Sequence, residues 1–392
     1  MVLSAFFYAY GLAQVPSGWL ADRFGARGMM TSYVALWSVF TAFTGLATGL
    51  VTLLIARIGC GLAQAGAYPA SGGLLSRWIP FNRRGVASSV VPFGGRIGGA
   101  TAPFLTAWLI VGGAGWAGFG SWRPVLVVYG AAGVMVAWYF WVMFRDRPQD
   151  HPRCNAAERE LIEAGRPTAA QAAGTCAARL PFKQLLTNRS MWLMCISQLY
   201  TNIGWAFLVT WLPTYLVEVK KVSPLEGGRM ATTALLVGMS GILIGGLITD
   251  GATRRLGLRW GRGVPLAASR FLAGSAYLAS LWLDSAWAVT AAFAMVSLAT
   301  DLGLPSTWAF MQDVGGKHVG SMLGWANMWG SFGAAATAGL IPCIVQNWDL
   351  NHDWHAALCV CAGSFFVAGF AALGINASVP ITAQDSDPDR SP

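Results

Sequence analysis

Runs of about twenty apolar residues, repeated along the whole chain, constrain its fold more than any other feature. A helix needs about 20 such residues to cross a bilayer. Runs of that kind cover approximately 1–20, 29–48, 51–75, 86–112, 122–144, 191–216, 230–250, 264–283, 286–312, 320–346 and 355–376. Eleven spans in 392 residues predict an all-α membrane protein. Composition agrees: 55% of residues are hydrophobic and 11% charged, whereas about a quarter are charged in soluble chains. The 19 Trp gather near the ends of the runs, as in the aromatic belts of a bilayer interface. The 48 Gly suit helices packed through small residues. The first run is not a signal peptide: it lacks a basic leader and passes straight into Asp22-Arg23-Phe24-Gly25-Ala26-Arg27 without a small-residue cleavage site.

The formal charge of +9 lies between the apolar runs. No basic block with interleaved stacking aromatics is present, so no nucleic-acid partner is expected. Arg23 and Arg27 follow the first run, Arg77, Arg83 and Arg84 the third, and Arg145 and Arg147 the fifth. Arg254, Arg255, Arg259 and Arg262 follow the seventh, and Lys317 the ninth, while 45–50 and 112–121 carry no charge. One contrary loop, 217–229, has Lys220, Lys221 and Arg229 partly offset by Glu218 and Glu226. The positive-inside rule therefore places the basic connections and the C-terminus in the cytoplasm, across a cytoplasmic membrane, with Met1 outside. That start, together with an odd span count, creates the expectation of one N-terminal helix missing from this sequence.

The long polar segment 145–190 divides five spans from six, predicting an N-terminal bundle over 1–144 and a C-terminal bundle over 191–376. Within it, Asn155 and Glu158 stand at capping-box spacing and Gly165 at a stop, predicting a short surface helix. The stretch 167–181 reads as a loose linker, and 377–392 as a disordered cytoplasmic tail. The halves repeat each other. Gly18-Trp19-Leu20-Ala21-Asp22 parallels Gly246-Leu247-Ile248-Thr249-Asp250, and Gly85…Gly95-Arg96-Ile97-Gly98 parallels Gly320…Gly330-Ser331-Phe332-Gly333. Parallel repeats of this kind imply bundles related by an axis along the membrane normal.

The seven Cys are scattered, with no zinc-ligand spacing, and Cys359 and Cys361 would point to different sides of a helix. His352-Asp353-Trp354-His355 invites a metal reading, but the loop supplies no rigid ligand geometry. No nucleophile–base set, phosphate loop or dinucleotide fingerprint occurs. Neither an enzyme nor a metal or cofactor is expected.

Gly18 to Arg27, GWLADRFGAR, resembles the signature loop between the second and third helices of the major facilitator superfamily. Ser4-Ala5-Phe6-Phe7-Tyr8-Ala9-Tyr10 with Gln14, Pro16 and Gly18-Trp19 is similar to the second helix of its anion:cation symporter family, which includes hexuronate, galactonate, phthalate and sialin-like carriers. Thr210-Trp211-Leu212-Pro213-Thr214-Tyr215-Leu216 and the capped helix near 155–165 are also similar. The resemblance covers nearly the whole chain and implies the major facilitator fold, with the family's first helix absent.

Charges inside spans cost about 2.5–3.5 kcal/mol on insertion scales, so Arg57, Arg96 and Asp301 each need a reason. Arg57 shares a helical face with Gly61, Gln64 and Tyr68. Its guanidinium could fork onto a substrate carboxylate or bond carbonyls of a neighbouring helix. Arg96, about ten residues into its span, is flanked by Gly94, Gly95, Gly98 and Gly99, and the resemblance puts a substrate-contacting side chain there. Asp301 could pair with an Arg or bind a coupling proton or cation. Arg270 is expected to snorkel. The resemblance adds Tyr10, Gln198, Trp308 and Asn327 as substrate-side candidates. It also implies a gate in which Gly18 and Gly25 shape the loop, Asp22 accepts from a helix N-terminus, and Arg23 and Arg27 hold partners across the cytoplasmic face. One departure stands out: the proton-linked members carry Glu where this chain has Gln64, and an amide does not titrate in the working range.

These features predict a secondary transporter of a small organic anion, working by alternating access as a monomer in the lipid bilayer, with H+ or Na+ as the candidate co-transported cations. The alternatives are a carrier-like receptor without transport and an efflux carrier for neutral or cationic drugs, which would favour acidic cavity residues.

Overall fold

The computed structural model describes residues 2–112, 117–163, 182–347 and 354–379. All regular structure among them is helical: α1 (Val2–Phe24), α2 (Ala26–Leu46), α3 (Leu50–Gln64), α4 (Ala67–Trp78), α5 (Arg84–Val111), α6 (Trp122–Met143), α7 (Ala156–Glu163) and α8 (Phe182–Thr187), then α9 (Arg189–Thr210), α10 (Leu212–Glu218), α11 (Pro224–Ser280), α12 (Ala286–Leu302), α13 (Leu304–Val314), α14 (Val319–Asn347) and α15 (His355–Leu373).

Eight stretches are long and apolar enough to cross a membrane. One is the 57-residue α11, which kinks at Gly257 (φ 73°) into two helices, a left-handed conformation that glycine adopts without steric cost. α1 and α5 supply the remaining two predicted spans. They have the length, 23 and 28 residues, but not the apolarity of the eight.

Three predicted spans are broken where proline dictates. Proline lacks an N–H and clashes with the carbonyl four residues back. The α3–α4 break at Ala65-Gly66 precedes Pro69, the α9–α10 break at Trp211 precedes Pro213, and the α12–α13 break at Gly303 precedes Pro305.

The surface helix forms as its capping box dictates. The Glu158 N–H donates to Asn155 Oδ1 (2.8 Å), and the Asn155 N–H donates to Glu158 Oε2 (3.2 Å). The expected linker (167–181), most of the expected tail, and His352 and Asp353 lie outside the described residues. Cys359 is exposed and Cys361 buried, on opposite sides of α15.

The core of the C-terminal half is aromatic. Phe207, Tyr215, Tyr277, Phe293 and Phe365 are buried together with Trp354. The N-terminal half packs through small residues instead: Gly61 of α3 lies against the Phe6 carbonyl of α1, and Gly130 of α6 against the Ser38 carbonyl of α2. The two halves meet along α1 with α14 and along α5 with the first half of α11.

Candidate functional site

At the arginine-rich end the helices of the two halves touch backbone to backbone, and glycine makes this possible. A Cβ on Gly320 would lie 2.7 Å from the Gly18 carbonyl oxygen, and one on Gly85 would lie 2.9 Å from that of Gly246. Two buried carboxylates fasten these crossings. Asp22 at the end of α1 accepts from the N–H groups of Gly320 (2.9 Å) and Ser321 (2.7 Å) and from the Ser321 hydroxyl (2.6 Å). Asp250 on α11 accepts from the N–H groups of Gly85 (2.8 Å) and Val86 (2.9 Å). Both carboxylates thus sit on helix N-termini, α14 and α5, where unpaired N–H groups and the helix dipole favour negative charge. The repeat seen in the sequence is realised as reciprocal caps, each half fastening the other.

Around Asp250 lies a buried charge network. Arg262 Nη1 is 3.5 Å from Asp250 and its Nε donates to Asp313 (2.8 Å). Arg84 pairs with Asp313 (2.9 Å) and also donates to the carbonyls of Gln312 (2.9 Å) and Ser76 (3.1 Å). Gln312 Nε2 donates to the Ser88 hydroxyl at 2.9 Å. Arg84 and Arg262 had signalled only topology in the sequence, yet both are buried and tie α5 to α11 and α13.

The expected gate roles of the loop arginines need correction. Arg23 stacks over Trp19 and Phe24 of its own helix, its guanidinium carbon 5.2 Å from each ring. Among the described residues it holds no partner across the face, because its position at the helix end turns it back along α1. Arg27 stays within its own half, over the Trp141 ring at 3.9 Å, while its N–H donates to Asp146 at 3.0 Å. Gly25 adopts φ 96°, and a Cβ there would lie 2.7 Å from Asp146 Oδ2.

Further from this end, the halves separate. On α5, Cβ atoms at Gly94, Gly98 and Gly99 would meet nothing within 4 Å, and residues 97–105 are all exposed. Between the closed end and this open stretch lies a polar layer. Arg96 Nη2 donates to Asp301 Oδ1 at 2.9 Å, joining α5 to α12. The Arg96 guanidinium also lies over Trp205 of α9, 4.1 Å from the ring centroid. Tyr68 of α4 meets Trp308 of α13 edge-on, with centroids 5.5 Å apart. A Cβ on Gly95 would be 2.9 Å from the Tyr68 hydroxyl, so Tyr68 adjoins the Arg96 turn. Gln14 of α1 donates to Ser331 of α14 (3.3 Å), which in turn donates to the Asn327 carbonyl (3.0 Å).

Of the sequence-predicted residues, the structure therefore brings together Arg96, Asp301 and Trp308, and puts Asn327 near the α1–α14 contact. Gln198 is buried on α9, its carbonyl accepting from Asn202. Tyr10 stacks on Phe6 of its own helix at 5.9 Å. Gln64 ends α3, half-buried. Arg57 is half-buried two turns from Gln64 on the same helix and, among the described residues, makes no ion pair or hydrogen bond. Arg270 does not snorkel. It is 1% exposed, and its Nη1 donates to the Thr300 carbonyl at 2.9 Å. Trp205 and the Arg84–Asp313–Arg262 network carried no sequence signal beyond residue type.

Helical spans fastened at one end by capping carboxylates, with arginines in the middle of their depth, make a multi-pass membrane carrier. The chain belongs to the Major Facilitator Superfamily, whose profile matches residues 1–338. It is 30% identical over 407 residues to the probable galactarate/D-glucarate transporter GudP of Bacillus subtilis, covering all of this chain and 86% of that protein. It is 29% identical to the probable sulfoacetate transporter SauU of Cupriavidus necator, covering 98% and 86%. Among solved structures it resembles the fucose:proton symporter FucP of E. coli (TM-score 0.70, 13% identity, 95% of this chain and 89% of that one). It also resembles the human organic anion transporter MFSD10 (TM-score 0.69, 15% identity, 95% and 83%). These structures establish the fold, the two-bundle major facilitator architecture. The relatives are transporters, and the chain is not an enzyme.

Proposed function

We propose that this protein is a secondary active transporter that carries a small organic anion, a sugar acid or a related carboxylate, across the cytoplasmic membrane by alternating access. The observation that carries the reading is the cationic excess of the middle layer. Arg57, Arg96 and Arg270 lie within spans, where, among the described residues, Asp301 is the one carboxylate paired with any of them. Intramembrane charges of this kind mark substrate paths, and a guanidinium fork matches a carboxylate. The relatives' names support the class: galactarate/D-glucarate, sulfoacetate and L-galactonate are all organic anions. A drug-efflux carrier would call for the opposite charge balance, and nothing favours a receptor without transport.

In this reading 1–144 and 191–376 are the two rocking bundles and 145–190 is their cytoplasmic connection. The arginine-rich end and the C-terminus face the cytoplasm, so the conformer is closed inward and open outward. Arg57, Arg96, Tyr10, Gln198, Trp308 and Asn327 contribute to the anion site, and the protein works as a monomer. A cation, H+ or Na+, moves with the anion, without using Gln64.

The test is uptake of labelled D-glucarate, galactarate and L-galactonate into proteoliposomes. The wild type should show saturable uptake of at least one. Arg57→Ala should reduce its uptake at least about tenfold, since a hydrogen bond to a charged group contributes about 1.5–3 kcal/mol. Uptake unchanged by the substitution removes Arg57 from the site.

A further inference from the structure

The central ion pair is asymmetric in a way that a purely structural salt bridge has no need to be. Asp301 is buried and, among the described residues, only its Oδ1 is used, by Arg96; Oδ2 is buried with no hydrogen-bond partner there. Arg96 is the accessible member, its side chain 33% exposed, held flat against Trp205. The ionisable groups around Asp301 are Arg96 from α5 and Arg270 from the second half of α11, with Tyr68 of α4 beside the Arg96 turn. Arg270 is fixed on the Thr300 carbonyl, one residue from Asp301. The partner that can leave is Arg96. The pair also bridges the halves, since α5 belongs to one and α12 to the other.

Resting on the proposed anion transport, we infer that Asp301 is the proton-coupling group of this carrier. The substrate carboxylate takes the place of Asp301 on the Arg96 guanidinium, and Asp301, released, takes a proton from the open side. The charge balance explains the coupling. Empty, Arg96 and Asp301 form one neutral pair. Loaded, Arg96 and the substrate carboxylate form one neutral pair, and protonated Asp301 is neutral, its hydroxyl able to donate. With a monocarboxylate such as L-galactonate, one negative charge and one proton have entered, so the charge in the layer is unchanged between the two states; the second carboxylate of D-glucarate or galactarate needs a further cation, which Arg57 can supply. Substrate alone would leave two carboxylates competing for Arg96; a proton alone would leave Arg96 unpaired in a low-dielectric layer. On the cytoplasmic side the anion leaves, Asp301 gives up its proton to water, and the pair re-forms. A titratable group at Asp301 thus supplies what Gln64 does not.

The experiment uses proteoliposomes of the full chain loaded with a pH-sensitive dye, with no sodium present; it reads net anion entry into substrate-free vesicles together with proton entry, and separately reads anion counterflow, which moves no net protons. The probe is whichever of D-glucarate, galactarate or L-galactonate the wild type exchanges. The expected result is proton entry with the anion in the wild type. Asp301→Asn should keep anion counterflow, now independent of pH, and should show no proton entry during net anion entry. Asp301→Glu should keep proton entry but displace the pH profile, which a group serving only as a fixed ion-pair partner would not. Net anion entry into substrate-free vesicles of the wild type without proton entry overturns the proposal and leaves the transport reading standing. Proton entry retained in Asp301→Asn also overturns it. If that variant does not fold, an Asp301→Glu pH profile superimposable on the wild type counts against it, and a displaced one supports it. Absence of any anion counterflow in folded wild type sinks the transport reading and this proposal with it.

Discussion

Asp22 and Asp250 occupy matching places in the sequence repeat, and each caps the helix that the other half offers, yet they are supported differently. Asp22 is held by three hydrogen bonds from Gly320 and Ser321; among the described residues no arginine forms an ion pair with it, and Arg77 acts on it through its charge. Asp250 accepts two N–H groups and adjoins Arg262, which passes the connection to Asp313 and Arg84. One crossing is a cap alone, and the other is a cap embedded in a buried ion network. A cap fails locally, by the strength of its hydrogen bonds. A buried network fails as a unit, because removing one member strands the others in low dielectric.

That difference sets an order of effects. Asp313→Ala leaves buried Arg84 without its carboxylate and Arg262 with only Asp250, 3.5 Å away, and breaking a buried pair costs about 3–5 kcal/mol. It should cause the largest loss of the inward-closed state. A Val15→Cys reporter, buried against α14, in a background with the other cysteines replaced, would read this as faster labelling by a polar maleimide. Asp22→Ala strands the N–H groups at the start of α14 and should cost about 2–3 kcal/mol, with faster labelling than in the unmodified gate but slower than for Asp313→Ala. Equal effects would mean that Arg84 and Arg262 find other partners, and that the network is no more than a second cap.

The same contrast extends to the helices being capped. Gly333 of α14 is pressed against the Leu199 carbonyl of α9, whereas its repeat partner Gly98 on α5 faces nothing within 4 Å. Gly333→Ala should therefore lower the thermal stability of the purified protein by about 1–3 kcal/mol, the usual cost of overpacking, and Gly98→Ala should leave it unchanged. A loss at Gly98 equal to that at Gly333 would show that α5 packs against a helix there in the membrane.

The spans, the short capped helix, the two halves and the Asp22 cap were legible in the sequence because each follows from local pattern: hydrophobic run length, capping spacing, repeat. The breaks at Ala65-Gly66, Trp211 and Gly303 were legible in principle, from Pro69, Pro213 and Pro305. The ion network was not. Arg84 and Arg262 stand among loop arginines of the same composition, and only the close approach at Gly85 and Gly246 decides which of them are buried. The Arg96–Asp301 pair was half legible. Charge within a span announced both residues, but 205 positions separate them, and only the packing of α5 towards α12 makes them partners. Arg270 misled because its place near a span end suits snorkelling, whereas the α11–α12 packing encloses it.

The smallest expected effect lies between the two crossings. His318, in the short connection before α14, is buried, and burial followed by the nearby Lys317 charge lowers its pKa from 6.5 to about 4. The folded state therefore binds fewer protons than the unfolded one between those values, so its contribution is complete above about pH 6.5 and is lost as the pH falls towards 4. Because His318 directly precedes the Val319-Gly320-Ser321 turn that Asp22 caps, charging it should loosen the hydrogen-bonded crossing before the ion network. Labelling of the Val15→Cys reporter, divided by that of the unfolded protein at the same pH to remove the loss of thiolate, should thus rise modestly on acidification from pH 7 to 5, and His318→Gln should flatten that rise. An identical rise in His318→Gln would assign the acid sensitivity to another group and leave the two crossings equally indifferent to pH in this range.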